Sequence, residues 1–439
     1  MRLRRALPVL ALAALLALTG CSGPIGGSGT APGGDGEGEL TAGVDWVAGD
    51  SEILGNHHSP GVGRLPGADG TDGGANGTDR SADSTDGVVV AHPLGGRGDS
   101  EGCRLLALNG SGGERWTQPI PPEHCTIHAV ADPTVADFLG GPAPEVIVSS
   151  TEAETVAYDA RTGERRFAVS LTDYGYVAPV VANLTGDPAP ELVTMDVRGE
   201  LFVVRPTGLV WRRSLGAYTF ADPAVADFDA DGAPELVVGL GDGRVVAFTG
   251  DGIREWNTTL SGAVVWASAS DVDADPAVEF LATTIDGEVL ALDGRTGAVD
   301  WRYDGAGDLA AVGPAVDGDG DGQREVYVTG KDARVRALSG PTGEVEWTSE
   351  PLSEAPLSAV PPATAGDVDG DGRTEIVAVT GDGVVGVLAP DDGVVRATFA
   401  RDGTHYLYTP AVTADVDGDG RAEVLVPYGD GRLYALSFD

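Results

Sequence analysis

Short apolar runs recur along the whole chain, each closed by glycine or aspartate. One stretch shows the pattern in full. Pro223 to Phe228 alternates small and apolar residues into an acidic loop, and Glu235 to Leu240 is almost wholly apolar, as a strand covered on both faces is. Gly241, Asp242 and Gly243 are a hairpin signal, Arg244 to Phe248 reads as a third strand, and Thr249 to Gly252 turns the chain again. Ile253 to Trp256 then opens a fourth strand. No segment shows convincing helical periodicity. The chain is therefore expected to be all-β, with four short antiparallel strands per unit.

The unit repeats. Acidic loops begin at 137, 183, 227, 271, 317, 367 and 415, so the spacing is 44 to 50 residues. Each unit cannot bury its apolar strands alone, and units of this length made of four strands pack as the blades of a β-propeller. Solenoids of similar period are mostly helical or have shorter repeats.

The third and fourth strands carry a second phrase: Ala291, Asp293, Thr296, Gly297 and Trp301. Ala337, Thr342, Gly343 and Trp347 repeat it with Ser339 for the aspartate, and Asp159, Thr162 and Gly163 lead to Phe167. Shorter versions end at Trp116, Trp211, Trp256 and Phe399. The phrase resembles the tryptophan-docking motif of the pyrroloquinoline quinone (PQQ) dehydrogenase-like propellers. That resemblance implies that each ring packs between neighbouring blades, where a large flat side chain buries much area. Six of the seven tryptophans fall at or fit this phase.

Trp46 sets the blade count. The chain stops after the third strand of its last unit, Leu433 to Asp439, while Thr41 to Trp46 looks like Thr296 to Trp301. The N-terminal strand is expected to supply the missing fourth strand and close the ring. A complete unit from Val47 to Ile120, with Gly87 to Ala91, Leu105 to Leu108 and Trp116, then makes eight blades. Seven remain the alternative if that unit lies outside the ring. Its acidic loop is replaced by a Gly- and Asp-rich stretch, about 61–87, expected to be a flexible surface insertion.

Five acidic loops keep four carboxylates in phase: Asp227, Asp229, Asp231, Glu235; Asp271, Asp273, Asp275, Glu279; Asp317, Asp319, Asp321, Glu325; Asp367, Asp369, Asp371, Glu375; and Asp415, Asp417, Asp419, Glu423. Alternate side chains of a tight loop converge, and hard oxygens in that number suit calcium. Position 12 of the 227 loop is Val238, so this is not an EF-hand. The phrase resembles FG-GAP repeats, known from integrin α-subunit propellers, which implies structural calcium between the first and second strands. An Asp-Gly turn without an ion is the plain alternative. The 271 loop has Pro276 where the others have glycine. The loops at Asp137 and Asn183 have lost ligands, and Pro142, Pro144, Pro188 and Pro190 are candidates to hold those turns.

The ends add a location. Met1 to Arg5 is basic, and Ala6 to Leu18 is apolar but too short to span a bilayer. Residues 1–20 read as a signal peptide, with Leu18 to Cys21 resembling a lipobox, so that Cys21 would carry lipid; an ordinary signal peptide cut at another small residue is the alternative. Residues 21–39 read as a Gly-rich tether and 40–439 as the propeller. Arg4 and Arg5 are weak evidence of twin-arginine export. An exported chain permits a disulfide between the remaining cysteines, Cys103 and Cys125, with free thiols or a site using His124, Cys125 and His128 as alternatives. Sequons begin at Asn76, Asn109, Asn183 and Asn257. With 68 acidic against 28 basic residues the net charge is −40, which argues against nucleic acid and anionic lipid as partners. A single lysine among so many acids resembles proteins of extreme halophiles.

The segments before each first strand reach the propeller axis on the face opposite the acidic loops. They carry His57, His58, His128, Tyr174, Tyr176, Tyr218, Phe220, Trp266, His405, Tyr406 and Tyr408, candidates to line a ligand funnel or simply to pack the channel mouth. The expected function is a calcium-stabilised, lipid-anchored module outside the cell that binds a protein or glycan, as a monomeric domain touching membrane only through its anchor. The alternative is an enzyme on the same fold, a PQQ-dependent dehydrogenase or a polysaccharide-active enzyme. The adjacent cysteine pair of quinoprotein dehydrogenases does not appear, since Cys103 and Cys125 are 22 apart, and no catalytic set stands out.

Overall fold

Glu235–Gly239 and Arg244–Phe248 pair antiparallel and bury nearly every side chain, while Ala224–Ala226 before them is only half buried. The outer strand Arg254–Thr259 alternates, with Trp256 turned inward and its neighbours outward. This gradient follows from position. Inner strands face the central channel, the middle two are sandwiched between neighbouring sheets, and outer strands meet solvent on one side. It recurs in every unit of the computed structural model, which describes residues 39–49, 56–66, 84–96, 102–354, 361–403 and 405–439.

Residues 40–439 form one unit of eight four-stranded antiparallel sheets. In chain order, blade 1 spans residues 61–119, blade 2 134–170, blade 3 180–214, blade 4 224–259, blade 5 264–303, blade 6 311–348, blade 7 364–400 and blade 8 412–438. Blade 8 takes its outer strand from the other end of the chain: Ala42–Gly49 pairs with Arg432–Phe438, Ala42 opposite Phe438 and Gly49 opposite Arg432. The described residues hold no α-helix, only short 3-10 turns at Ser84–Gly87 and Pro122–His124. The ring is therefore an eight-bladed β-propeller closed by its N-terminal strand. Each apolar cluster bridges two neighbouring blades, as Val193 and Val203 of blade 3 meet Leu236 and Val246 of blade 4.

The tryptophans lock these interfaces. The indole nitrogens of Trp46, Trp116, Trp211, Trp256, Trp301 and Trp347 donate to the carbonyls of Gly110, Ala160, Gly250, Gly294, Gly340 and Pro390 at 2.7 to 3.0 Å. Each acceptor lies in the turn between the third and fourth strands of the next blade. In that turn the ring covers a glycine: a Cβ on Gly297 would come within 2.3 Å of Trp256.

Three expectations change. Phe399 is not in the docking phase; Ala397 is, opposite Val387 as Trp347 is opposite Ala337. Phe167 has the right register, opposite Ala157, but its ring packs edge-on against Phe138. A surface cleft of about 340 Å³, lined by Phe167, Phe202, Val204 and Leu209, opens beside it. The stretch 61–87 is not all insertion. Gly61–Arg64 is the inner strand of blade 1, and its glycines are there because blade 2 crowds it: a Cβ on Gly61 would meet Pro133 and one on Gly63 would meet Val135, each at 2.2 Å. The middle of that stretch lies outside the described residues, as do the signal segment, Cys21 and all but the end of the tether.

Candidate functional site

Two sets of residues lie at opposite ends of the inner strands. At one end are the acidic loops. The glutamate that opens each second strand is buried, and its Oε2 accepts the backbone N–H of the loop's second residue. Glu145, Glu191, Glu235, Glu279, Glu325, Glu375 and Glu423 do so at 2.8 to 3.0 Å from Phe138, Leu184, Phe228, Val272, Gly318, Val368 and Val416. This glutamate holds the turn even in the two worn loops, a role that sequence reading gave to prolines. The first aspartate ties the loop too: Asp367 accepts from the N–H groups of Gly370 and Gly372 at 2.7 and 3.0 Å.

These bonds leave other carboxylate oxygens facing inward. In each of the five complete loops, three acids bring oxygens within 4.8 Å of one another. The sets are Asp227, Asp229, Asp231; Asp271, Asp273, Glu279; Asp317, Asp319, Glu325; Asp367, Asp369, Asp371; and Asp415, Asp417, Glu423. Asp275 is outside its set, as Asp321 and Asp419 are outside theirs, and Arg295 lies 2.9 Å from it. Burial first, and neighbouring aspartates among the further causes, push the carboxyls of Glu235, Glu279, Glu325, Glu375 and Glu423 up to about 7. Crowded acids that resist ionising together, offering only oxygen, fit a hard divalent cation.

At the other end, rings from five blades touch in sequence. Tyr406 stacks near Tyr408 at 6.1 Å between centroids, Tyr408 stacks on His57 at 4.7 Å, and His57 meets His128 edge-on at 5.1 Å. His128 meets Tyr176 at 5.0 Å, and Tyr176 meets Phe220 at 6.2 Å. His58 lies against both His128 and Tyr176. Its Nδ1 is 2.7 Å from Asp132 Oδ1, which accepts its proton, leaving the buried Nε2 without a partner. Nδ1 of His128 is also buried and unpaired, and burial, then His58 and His57, push this imidazole down to about 3, so it stays neutral.

Sequence reading missed the acids beneath this arc. Asp132 accepts the N–H of Ser59 at 3.0 Å and Asp222 that of Ala178 at 2.8 Å, so each ties its blade to the one before. Dense surrounding protein, then Asp132, raise the Asp222 carboxyl, although its side chain keeps access to solvent, which tempers both effects. Their shared place, five residues before the acidic loops at 137 and 227, was the available signal.

Four expected funnel residues lie outside the arc. His405 turns to Tyr428 and its Nε2 sits 2.9 Å from the Asp402 carbonyl. Trp266, within Val264–Ser270, packs on the cluster of Trp301 and Tyr303. Tyr218 is exposed and acts on Tyr174. The alternative set of His124, Cys125 and His128 is not gathered: Cys103 and Cys125 form a disulfide, and the His124 ring reaches the Thr151 carbonyl at 3.1 Å.

None of the curated proteins compared with the chain matches it. Solved structures do, at the level of fold. The biofilm matrix protein Bap1 of V. cholerae is similar over 91% of this chain and 91% of its own, at 13% identity and a TM-score of 0.68. BamB of Moraxella catarrhalis is similar over 80% of this chain and 94% of its own, at 17% identity and a TM-score of 0.55. A computationally designed protein, Ika8, is similar over 89% of this chain and all of its own, at 16% identity and a TM-score of 0.56. Residues 183–303 match the family model described as outer membrane protein assembly factor BamB. Residues 317–378 and 367–426 match the FG-GAP-like repeat, so this eight-bladed propeller combines a BamB-like stretch in its middle with FG-GAP-like repeats towards its end.

Proposed function

We propose that this chain is an exported, lipid-anchored binding module whose aromatic arc takes a glycan, on a ring stapled by calcium at the opposite face. The observation that carries the reading is the run of rings from Tyr406 to Phe220 with two buried, unpaired imidazole nitrogens among them. Stacked rings suit the flat apolar face of a sugar, and its hydroxyls would satisfy Nε2 of His58 and Nδ1 of His128 once the rings covering these buried atoms part. Asp132 and Asp222 below the rings, and a net charge of −40, favour uncharged over acidic polysaccharides. Similarity to a biofilm matrix protein and to an outer membrane assembly factor supports a place in the envelope or matrix. Calcium would be held by the carboxylates of the complete loops and would supply structural charge neutralisation alone.

The test is binding of the calcium-loaded chain to an array of neutral and acidic polysaccharides, beside the Tyr408→Ala and His57→Ala variants. Binding to a neutral glycan that falls at least tenfold in both variants supports the reading. Binding untouched by either, or found only for protein partners in an envelope pull-down, overturns the glycan assignment. Anchoring is tested separately: labelled fatty acid should enter the wild type and not Cys21→Ala.

A further inference from the structure

The five complete loops look alike in sequence, but the outer strand passing beside each differs by one residue. The position just before the docking aromatic holds Glu255 in blade 4, Asp300 in blade 5, Glu346 in blade 6 and Asp45 in blade 8. In blade 7 it holds Arg396, beside Ala397 at the docking position.

The acids sit next to their loops. The charges that act on Glu255 are those of Asp229 and Asp231, those on Glu346 are Asp319 and Asp321, and Asp273 and Asp275 act on Asp300 after Asp293. Asp45 likewise acts on Asp417. Each of these blades therefore brings a fifth carboxylate to a loop that already has four.

Blade 7 brings a cation. The Arg396 side chain is 6% exposed, and its guanidinium nitrogen NH1 lies 3.0 Å from Asp369 Oδ2 and 3.4 Å from Glu375 Oε1. Those are the third and ninth positions of the loop, two of the oxygens a cation would need. Blade 3 also puts a guanidinium among its loop positions, here from the end of the third strand Glu200–Arg205, in a loop that has already lost ligands. Arg205 places Nε 2.6 Å from Glu191 Oε1 and its second terminal nitrogen 2.5 Å from Thr185 Oγ1, and it also pairs with Asp187. Thr185, Asp187 and Glu191 are the third, fifth and ninth positions of that loop, so the guanidinium lies within the ring of would-be ligands.

We infer that Arg396 is the built-in cation of the 367 loop and that this loop, despite its complete set of carboxylates, does not take calcium. A second full charge placed among the same oxygens would meet Arg396 inside a buried site, and displacing that side chain would leave a buried guanidinium without its partners. The other complete loops meet carboxylate at the corresponding place and attract the ion instead.

This inference rests on the calcium reading of the loops, and the experiment separates the two. Bound calcium per chain is counted by equilibrium dialysis and elemental analysis for the full chain, Asp317→Ala, Asp367→Ala and Arg396→Glu. The expected result is that Asp317→Ala loses one ion while Asp367→Ala keeps the wild-type count. Arg396→Glu, which gives blade 7 the residue found in blades 4 and 6, should gain one. A loss of one ion in Asp367→Ala overturns the inference and leaves the calcium reading standing. No calcium on the wild-type chain overturns both.

Discussion

The indole of Trp46 lies across Gly112. A Cβ on that glycine would come within 2.7 Å of the ring, and Nε1 of Trp46 donates to the Gly110 carbonyl at 2.8 Å. Trp46 belongs to the strand that completes blade 8, and Gly112 belongs to blade 1, so this pair joins the last blade to the first. Its strand also pairs with Arg432–Phe438 along its length. Removing residues 41–46 should therefore open the ring. Trp46→Ala keeps the strand and loses the dock, and should cost about 3 kcal/mol by the usual loss for a large aromatic. Denaturant unfolding checks both, and an unchanged midpoint in the truncated chain would refute closure by this strand.

Glycine under a docked ring is required twice over, for its backbone and for space. Gly297 has φ +68° and a Cβ there would meet Trp256 at 2.3 Å and Thr258 at 2.8 Å. Gly307 has φ +80° but nothing within 4 Å of its would-be Cβ. Gly307→Ala should cost only the left-handed backbone, about 1–2 kcal/mol. Gly297→Ala should cost that plus about 1–3 kcal/mol of overpacking. Equal losses in the two variants, measured by thermal unfolding, would show that the ring can shift aside.

Calcium should reverse the pH dependence of stability. Burial pushes Glu235, Glu279, Glu325, Glu375 and Glu423 up to about 7, against about 4.5 in the unfolded chain. Between those values the folded chain keeps protons that the unfolded chain has released. Their contribution is thus full below about pH 4.5 and lost as pH rises through about 7. His92 and His128 work the other way: burial lowers them to about 4 and about 3 from 6.5, so their contribution is full above about 6.5 and lost as pH falls through about 4. Five groups oppose two, so the chelated chain should lose stability between pH 5 and 7. Saturating calcium holds Glu235, Glu279, Glu325 and Glu423 ionised, leaving only Glu375 against the two histidines, so the rising limb remains. Urea midpoints at pH 5, 6 and 7 decide it, and a chelated profile that rises with pH would contradict the assignment.

The ring was legible because its signals are local and periodic. The loop spacing gave the blades, and Thr41 to Trp46 gave the closing strand, since each phrase is read within a dozen residues. Arg205 and Arg396 were not legible. They enter the acidic loops from strands 14 and 21 residues beyond Glu191 and Glu375, and only the pairing of strands brings them back. Phe399 misled because the eye follows aromatics, whereas Gly393 against Trp347 fixes the phase of that turn and leaves Ala397 in the docking position. Gly61–Arg64 was hidden for the opposite reason: crowding at the axis demands glycines, and glycines read as loop. The arc was half legible. Its rings stand before the first strands as expected, but His405 and Trp266 share that place and turn elsewhere, a choice made by neighbours such as Tyr428 and Trp301.

The disulfide bears on the arc as well as on stability. Cys103 stands immediately before Arg104–Leu108, the buried third strand of blade 1, and Cys125 lies three residues ahead of His128 on the crossing to blade 2. Both cysteines are buried, and the hydrogen bonds of the segment between Cys125 and His128 include Ala129 N–H and Gly96 N–H to the Thr126 carbonyl, each at 3.0 Å, and His128 N–H to Thr126 Oγ1 at 3.2 Å. Losing the bridge should cost about 3 kcal/mol by loop-closure entropy for a separation of 22 residues. It should also release His128 from its place between His57 and Tyr176, because the chain that carries it is no longer tied to the strand behind. The paired variant Cys103→Ala with Cys125→Ala is therefore expected to melt lower and to bind glycan more weakly than Gly307→Ala, which strains the backbone far along the chain from this segment. Equal glycan binding by the two variants, at a temperature where both remain folded, would mean that the bridge serves stability alone and that the arc is positioned by its ring contacts.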